Sequence, residues 1–165
     1  MTNAGKPAGK AAPTRSKDYI VTPALLRGAR DTYREAIRKN LAEGGFDDVP
    51  RNGAFVLGAM VNYGIPSGEV VKGLGVSKQA ASQLVDLLVV RGYLDRAPDA
   101  EDRRRVTLKP TERGRAAAAA VRVSVDSVDA QLAKQLSAAE LATFRKGLIA
   151  LIKIGADSST LTAPS

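Results

Sequence analysis

The 165-residue sequence contains no cysteine, no histidine and no tryptophan. Without cysteine there is no disulfide, no thiolate nucleophile and no thiol redox switch, and without histidine the commonest general base and zinc ligand is missing. Catalysis by carboxylates alone stays formally possible. However, the acids Asp99, Glu101 and Asp102 fall in a predicted loop with no companion base. We therefore expect no enzyme, no cofactor and no bound metal.

Long apolar runs are also absent. No segment approaches the ~20 residues that cross a bilayer, and the N-terminus lacks the apolar stretch of a signal peptide. We therefore expect a cytoplasmic protein. Aromatic residues make up only 4% of a chain that is 44% apolar, which predicts one domain with a mainly aliphatic core.

Negative charge is scarce relative to positive charge, with 17 acidic residues against 25 lysines and arginines and a net charge of +8. The excess is uneven: residues 1–17 carry four basic residues and no acid, and residues 72–115 carry ten basic residues against six acids. This distribution favours a polyanionic partner bound at the central segment. Residues 1–17 are predicted to be a disordered basic tail, which either adds only solubility or acts as a DNA-contacting arm.

Apolar spacing predicts two helices in the first part of the chain. Thr22 is expected to cap the first helix, with Pro23 in its first turn, and the helix should end at Gly44. Its apolar residues recur at helical spacing: Leu26, Ala29, Tyr33, Ile37 and Leu41. A second helix over residues 53–63 is apolar almost all round and is expected to lie in the core.

The next segment predicts a helix-turn-helix followed by a hairpin. Ser67 is expected to cap a short helix through Gly73, and Ser77 a longer helix that runs to Arg91 after a glycine-containing turn. Two short strands over residues 93–96 and 105–109, joined by the polar loop 97–104, would form a wing. The fold class is therefore mainly α with a small β-wing.

Two further helices follow the wing. Thr111 is expected to cap a helix over residues 112–134, and Ser137 with Glu140 forms a capping box that opens a last helix to about residue 154. Residues 155–165 are predicted to be a flexible end. The first, fifth and sixth helices carry more apolar surface than the central unit needs, which favours a dimer. The alternative is that they cover the core of one monomer.

One face of the helix over residues 77–91 has the residue types that read DNA. At 100° per residue its apolar side is formed by Ala81, Leu84, Val85 and Leu88. The opposite side carries Lys78, Gln79, Ser82, Gln83 and Asp86. With Ser77 at the N-terminus, these short or planar hydrogen-bonding groups and one cation suit base edges and phosphates. The alternative is an ordinary solvated face.

The predicted wing carries a run of positive charge at Arg103, Arg104 and Arg105. Arginines on a hairpin beside a reading helix can enter the minor groove, where the negative potential is strong. Asp102 can orient Arg104 through a charge-assisted hydrogen bond. The alternative is a solvated loop tip.

Residues 74–115, LGVSKQAASQLVDLLVVRGYLDRAPDAEDRRRVTLKPTERGR, resemble the signature region of MarR-type regulators. The shared features are the turn and recognition helix, a Gly-Tyr-Leu strand, an Asp-x-Arg wing and a Thr-Glu-x-Gly helix start. Pro110 departs from the Leu that is frequent in the family. The likeness extends over residues 20–154.

The resemblance implies a winged helix-turn-helix within a MarR-type domain. The domain would span residues 18–154, with the winged unit at 51–111 and dimerisation helices at 18–44 and 112–154. It also implies a homodimer that binds a pseudo-palindromic operator, with recognition helices in major grooves and wings in minor grooves. Such regulators are commonly repressors that a small molecule relieves, and the absence of cysteine excludes the thiol-sensing branch.

A ligand pocket between the dimer helices and the reading unit is implied by resemblance alone. Its candidate residues are Arg27, Arg30, Tyr33 and Arg34, and the alternative for them is a solvated helix face. An alternative function is a winged helix that serves protein interaction or dimerisation without specific DNA readout. That function would require an apolar exposed face on residues 77–91, whereas the face is polar.

Overall fold

A computed structural model of the chain describes residues 20–98 and 106–161, with side chains described as far as residue 155. Six helices and a two-stranded antiparallel sheet follow one another along the chain. The helices are α1 (Thr22–Glu43), α2 (Gly53–Tyr63), α3 (Ser67–Gly73), α4 (Lys78–Val90), α5 (Glu112–Ala133) and α6 (Ala138–Leu161). The strands are β1 (Leu94–Pro98) and β2 (Val106–Pro110).

Helix α5 is the centre of the fold, because α1 and α2 both pack along it. Small residues allow close approach: a Cβ added to Gly58 of α2 would already lie 3.4 Å from the side chain of Val121 on α5. The core is mostly aliphatic, as expected. It contains Leu41, Val56, Leu57, Ala59, Val70, Leu88, Tyr93, Leu94, Ala117, Ala118 and Val121.

Two asparagines fix the positions of α1 and α2 along α5. The Asn40 amide donates to the carbonyl of Ala120 at 2.9 Å and to the hydroxyl of Ser124 at 3.2 Å. The Asn62 amide donates to the carbonyl of Ala118 at 3.1 Å. Since a buried polar group without a partner is costly, these bonds disfavour any sliding of the helices past one another.

The helix-turn-helix and the wing occupy the predicted positions. Gly75, in the turn between α3 and α4, has φ 63°, and Gly92, after α4, has φ 72°. Both are left-handed values that glycine adopts without steric cost. The strands pair from Leu94 opposite Pro110 to Pro98 opposite Val106. β1 therefore includes two residues that the sequence placed in the loop. β2 is described from Val106, because its expected first residue, Arg105, lies outside the described residues.

Three of the predicted helix caps are confirmed. The hydroxyl of Ser77 accepts a hydrogen bond from the amide of Ala80 at 3.2 Å, and that of Thr111 from Gly114 at 3.0 Å. The capping box is complete, because Ser137 and Glu140 bond reciprocally.

The caps assigned to Thr22 and Ser67 are wrong. Each is the first residue inside its helix, and the capping positions are Val21 and Pro66, which have no side-chain cap bond. The amides that the hydroxyls would have bonded are already engaged: the amide of Ala24 donates to the Val21 carbonyl at 2.9 Å, and that of Glu69 to the Pro66 carbonyl at 3.0 Å. In both helices the backbone carbonyl of the residue before the helix thus accepts the hydrogen bond that a side-chain cap would have accepted.

Helix α2 lies in the core as expected, through Val56, Leu57 and Ala59, although it also exposes Phe55 and Tyr63 at 59% and 62%. One further expectation needs correction. Helix α6 continues to Leu161 instead of ending near residue 154. No helix in the described part of the chain is sufficiently long and apolar to cross a membrane.

Candidate nucleic-acid interface

Helix α4 divides into a packed side and an exposed side as its sequence predicts. Ala81 and Leu88 are buried, and Leu84 and Val85 are half-buried. The five residues of the predicted reading face are all exposed: Lys78, Gln79, Ser82, Gln83 and Asp86. The structure therefore brings these side chains together on one open surface, and their contact with DNA stays a prediction.

The N-terminus of α4 is open to an anion. Amides in the first turn of a helix have no acceptor inside the helix, and the helix dipole is positive at this end. The Ser77 oxygen accepts the Ala80 amide, so its own proton is left to donate outward. Lys78 lies exposed beside it. These groups can bind a phosphate oxygen, and that contact stays a prediction.

An ion pair joins the reading helix to the wing. The Arg96 guanidinium on β1 donates to the carboxylate of Asp86 on α4. Both side chains are about half exposed, at 54% and 53%. Arg96 was not predicted from the sequence, because no spacing rule connects a helix residue to a residue on a strand after the turn. The pair neutralises the one acid on the reading face.

The four wing-tip candidates, Asp102, Arg103, Arg104 and Arg105, lie outside the described residues. The strand ends that lead to them are Pro98 and Val106, which pair with each other. The DNA contacts of Arg103, Arg104 and Arg105, and the orienting role of Asp102, stay predictions.

A second polar cluster lies at the base of the wing, and the sequence did not predict it either. The hydroxyl of the fully buried Tyr93 donates to the carboxylate of Asp48, which precedes α2. Arg113, in the first turn of α5, donates to the same carboxylate oxygen at 2.9 Å and to the Tyr93 oxygen at 3.1 Å. Its guanidinium carbon lies 4.7 Å from the centroid of the Tyr93 ring. Arg91 donates to the Asp48 carbonyl.

The cluster shifts the ionisation of its own members. The hydrogen bond from Tyr93, together with the charge of Arg113, holds the pKa of Asp48 below its ordinary value. Burial, followed by the bond to Asp48, raises the pKa of Tyr93. At neutral pH Asp48 is therefore an anion held by a neutral phenol and a cation.

The four ligand candidates on α1 do not share one cavity. Arg30 and Tyr33 line a groove of about 770 Å³ between α1 and α6. Arg34 lines a different groove of about 560 Å³ and forms an ion pair with Asp31 at 3.5 Å. Arg27 is exposed and lines neither groove. A ligand role for these residues stays a prediction.

Tyr33 has a structural partner instead. Its hydroxyl donates to Asp129 on α5, and Arg145 on α6 lies 3.7 Å from the same carboxylate. Burial and the bond to Asp129 raise the pKa of Tyr33 to about 12. This network ties α1, α5 and α6 together.

Comparison with known proteins identifies this arrangement. The family model described as the MarR family matches residues 47–105, which span α2, α3, α4 and the wing. Residues 47–105 are therefore similar to the MarR family. MarR-family proteins are DNA-binding transcription regulators and not enzymes. Among curated protein sequences, none matches the chain.

Several solved structures share the whole fold. The reduced form of MarR from E. coli is 25% identical, with 82% of this chain and 98% of that chain covered and a TM-score of 0.61. Streptococcus pneumoniae FabT, solved in complex with DNA, is 22% identical, with 82% and 95% covered and a TM-score of 0.68. S. aureus MepR, also solved with DNA, is 20% identical, with 82% and 98% covered and a TM-score of 0.66.

Proposed function

We propose that the protein is a sequence-specific repressor that binds a pseudo-palindromic duplex operator as a homodimer in the cytoplasm. Each α4 lies in a major groove, and each wing reaches an adjacent minor groove. Lys78, Gln79, Ser82 and Gln83 contact bases and phosphates, and Ser77 contributes a phosphate contact at the helix N-terminus. The wing contacts come from Arg103, Arg104 and Arg105, with Asp102 orienting Arg104.

The observation that carries this proposal is the exposed polar face of α4 beside an open helix N-terminus. Gln79 and Gln83 lie on this face one helical turn apart, and a glutamine side chain matches the donor and acceptor pattern of adenine. The same geometry disfavours a protein-interaction module, which would expose large apolar groups at these positions. FabT and MepR, whose solved structures contain DNA, support the same function.

The homodimer is supported by apolar surface that the monomer leaves uncovered. No described side chain of α6, residues 138–155, is buried. Leu25 and Leu26 of α1 are 53% and 39% exposed, and Phe144 and Leu151 of α6 are 43% and 44% exposed. These four residues line the same groove. A second copy that inserts its own terminal helices would cover this surface on both chains through a two-fold axis.

Relief by a small ligand is the remaining part of the proposal. A mostly apolar cavity of about 420 Å³ lies between α1, α2 and α5, with Phe55 and Tyr63 among its lining residues. A ligand that prefers one arrangement of these helices would shift the protein between DNA-binding and non-binding states. The exposed rings of Phe55 and Tyr63 would provide contact area for such a ligand.

Selection of bound duplexes from random DNA tests the readout. We expect an inverted repeat, and affinity that falls with salt at a log-log slope of roughly −0.9 for each neutralised phosphate. Gln79→Ala and Gln83→Ala should each lose about 1 to 3 kcal/mol of discrimination at particular base pairs. Gln131→Ala, on the exposed surface of α5, is the matched control and should change neither affinity nor preference.

Two outcomes contradict the readout. Affinity that does not depend on salt would exclude a phosphate-contacting surface, and equal loss on every sequence would mean that the glutamines do not read bases. Arg104→Ala should shorten the footprint at its outer, minor-groove ends. An unchanged footprint would remove the wing from the mechanism.

Sedimentation at micromolar concentration tests the dimer. Phe144→Glu places a charge in the α1–α6 groove and should produce monomers, because burying an unpaired carboxylate costs several kcal/mol. Ala142→Glu is the matched control, since Ala142 is exposed on the opposite side of α6 and does not line the groove. A monomeric wild type, or a Phe144→Glu variant that dimerises normally, would contradict the proposal.

A further inference from the structure

The cluster of Asp48, Tyr93 and Arg113, which we name the wing-root joint, connects three segments that are far apart in sequence. Asp48 lies between α1 and α2, Tyr93 between α4 and β1, and Arg113 in the first turn of α5. The three side chains meet at the Tyr93 hydroxyl, which donates to Asp48 and accepts from Arg113. One buried phenol therefore links the helices of the proposed dimer interface to the base of the wing.

The backbone around the wing-root joint is as closely fitted as its side chains. The Tyr93 carbonyl accepts the Thr111 amide at 3.1 Å, and the Thr111 hydroxyl donates to the Gly92 carbonyl at 2.6 Å. A Cβ added to Gly114 would lie 2.1 Å from the Tyr93 carbonyl oxygen. The start of α5 and the start of β1 are therefore in direct contact and have little freedom to move relative to each other.

The opposite side of the wing-root joint is anchored as well. Arg91, at the end of α4, donates to the Asp48 carbonyl, and the ring of Phe46 packs edge-on against the Tyr93 ring with centroids 6.4 Å apart. The loop after α1 is thus bonded to both ends of the segment that leads from α4 to β1. A shift of α1 and α5 would move this loop, and with it α4 and the wing together.

We propose that Asp48, Tyr93 and Arg113 are positioning residues that transmit the placement of the dimerisation helices to the reading helix and wing, and so set the half-site spacing accepted in DNA. This proposal rests on the proposed function, because it requires a dimer on an operator. In a two-fold dimer, half-sites lie about one helical turn apart, and one added base pair moves them by about 3.4 Å. A rigid joint therefore rejects such a change, and a loosened joint tolerates it.

The test measures binding of the full-length protein to the duplex selected from random DNA, and to duplexes with one base pair added to or removed from the spacer. Tyr93→Phe keeps the buried ring and removes the shared hydroxyl. We expect it to reduce the discrimination between correct and altered spacing by about two- to thirtyfold, the range typical of residues that couple distant sites. Thr32→Val, which removes an exposed hydroxyl that donates to the Gly28 carbonyl of α1 at 3.2 Å, is the matched control and should leave spacing discrimination unchanged.

Arg113 provides a second test that leaves the core intact, because its side chain is 44% exposed. Arg113→Gln should reduce spacing discrimination like Tyr93→Phe, whereas Arg113→Lys, which keeps the positive charge near Asp48, should restore part of it. Lys39→Gln is the control, since Lys39 is an exposed cation of α1 that lies 3.9 Å from the Glu43 carboxylate. Hydrogen exchange of the free protein should show faster exchange in β1 and β2 for Tyr93→Phe and Arg113→Gln.

The outcomes separate the two proposals. A wild type that selects no duplex sequence refutes the proposed function, and hydrogen exchange in the wing then decides alone whether the joint couples the segments. A wild type that selects an operator, with joint variants that keep its spacing discrimination, refutes the positioning role only. A loss of affinity that is equal for all spacings also refutes it.

Discussion

Replacing Gly114 by alanine tests the contact between α5 and the wing root most directly, because two physical effects oppose each other there. In a helix interior, Gly→Ala stabilises by about 1 kcal/mol. At Gly114, however, the new Cβ would lie 2.1 Å from the Tyr93 carbonyl oxygen and 3.1 Å from its carbonyl carbon. The neighbour is backbone that also accepts the Thr111 amide, so it cannot rotate away as a side chain would.

To restore ordinary contact, α5 and β1 must separate by more than 1 Å at this point. Overpacking of a fitted core typically costs about 1 to 3 kcal/mol, and the lost backbone bond adds about 1 kcal/mol. After the helix gain is subtracted, we expect Gly114→Ala to lower the free energy of unfolding by about 1 to 3 kcal/mol. Urea unfolding at fixed protein concentration measures this change in the free energy of unfolding.

Gly28→Ala in α1 is the matched control, because a Cβ there meets nothing within 4 Å. This variant should be about 1 kcal/mol more stable than the wild type. A Gly114→Ala protein as stable as the Gly28→Ala protein would refute the close approach of α5 to the wing root. Since the same contact positions the wing, we also expect Gly114→Ala to weaken operator binding.

Three further predictions follow from the site. The raised pKa of Tyr33, about 12, contributes stability that is complete below its ordinary value of 10.0 and is lost as pH rises toward 12. Tyr33→Phe, which has no proton to lose, should lack this loss in urea unfolding across that range. Ser77→Ala should lower the free energy of unfolding by about 1 kcal/mol through loss of the α4 cap. Asp86→Asn should change it by less than about 1 kcal/mol, because the pair with Arg96 is half exposed, and should raise affinity for non-specific duplex by removing a negative charge.

Each of these predictions has a contradicting result. A Tyr33→Phe protein that loses alkaline stability as the wild type does would mean that the pKa of Tyr33 is not raised in the folded protein. Unchanged stability in Ser77→Ala would mean that another group caps α4. A large loss of stability in Asp86→Asn would mean that the ion pair is buried, for example by the second subunit.

The sequence by itself determined the order of the elements and the reading face of α4. Helical and alternating periodicity, glycines that favour positive φ and hydroxyl caps all act within a few residues. Such local effects located α2, α4 and the wing to within a residue or two. They also separated Gln79 and Gln83 from Leu88 by angle alone. The errors at Thr22 and Ser67 were local as well, since an extended residue before the helix took over the role of the hydroxyl.

Only the tertiary structure decided which distant residues meet. The pairing of Asp86 with Arg96, and of Tyr33 with Asp129, depends on how helices and strands are packed, and no spacing along the chain encodes it. The wing-root joint is the strongest case: the sequence predicted only that Tyr93 begins a strand, and it assigned no role to Asp48 or Arg113. Packing brought them together because α5 must pass close to the start of β1, and burial of one phenol hydroxyl then required partners from both sides.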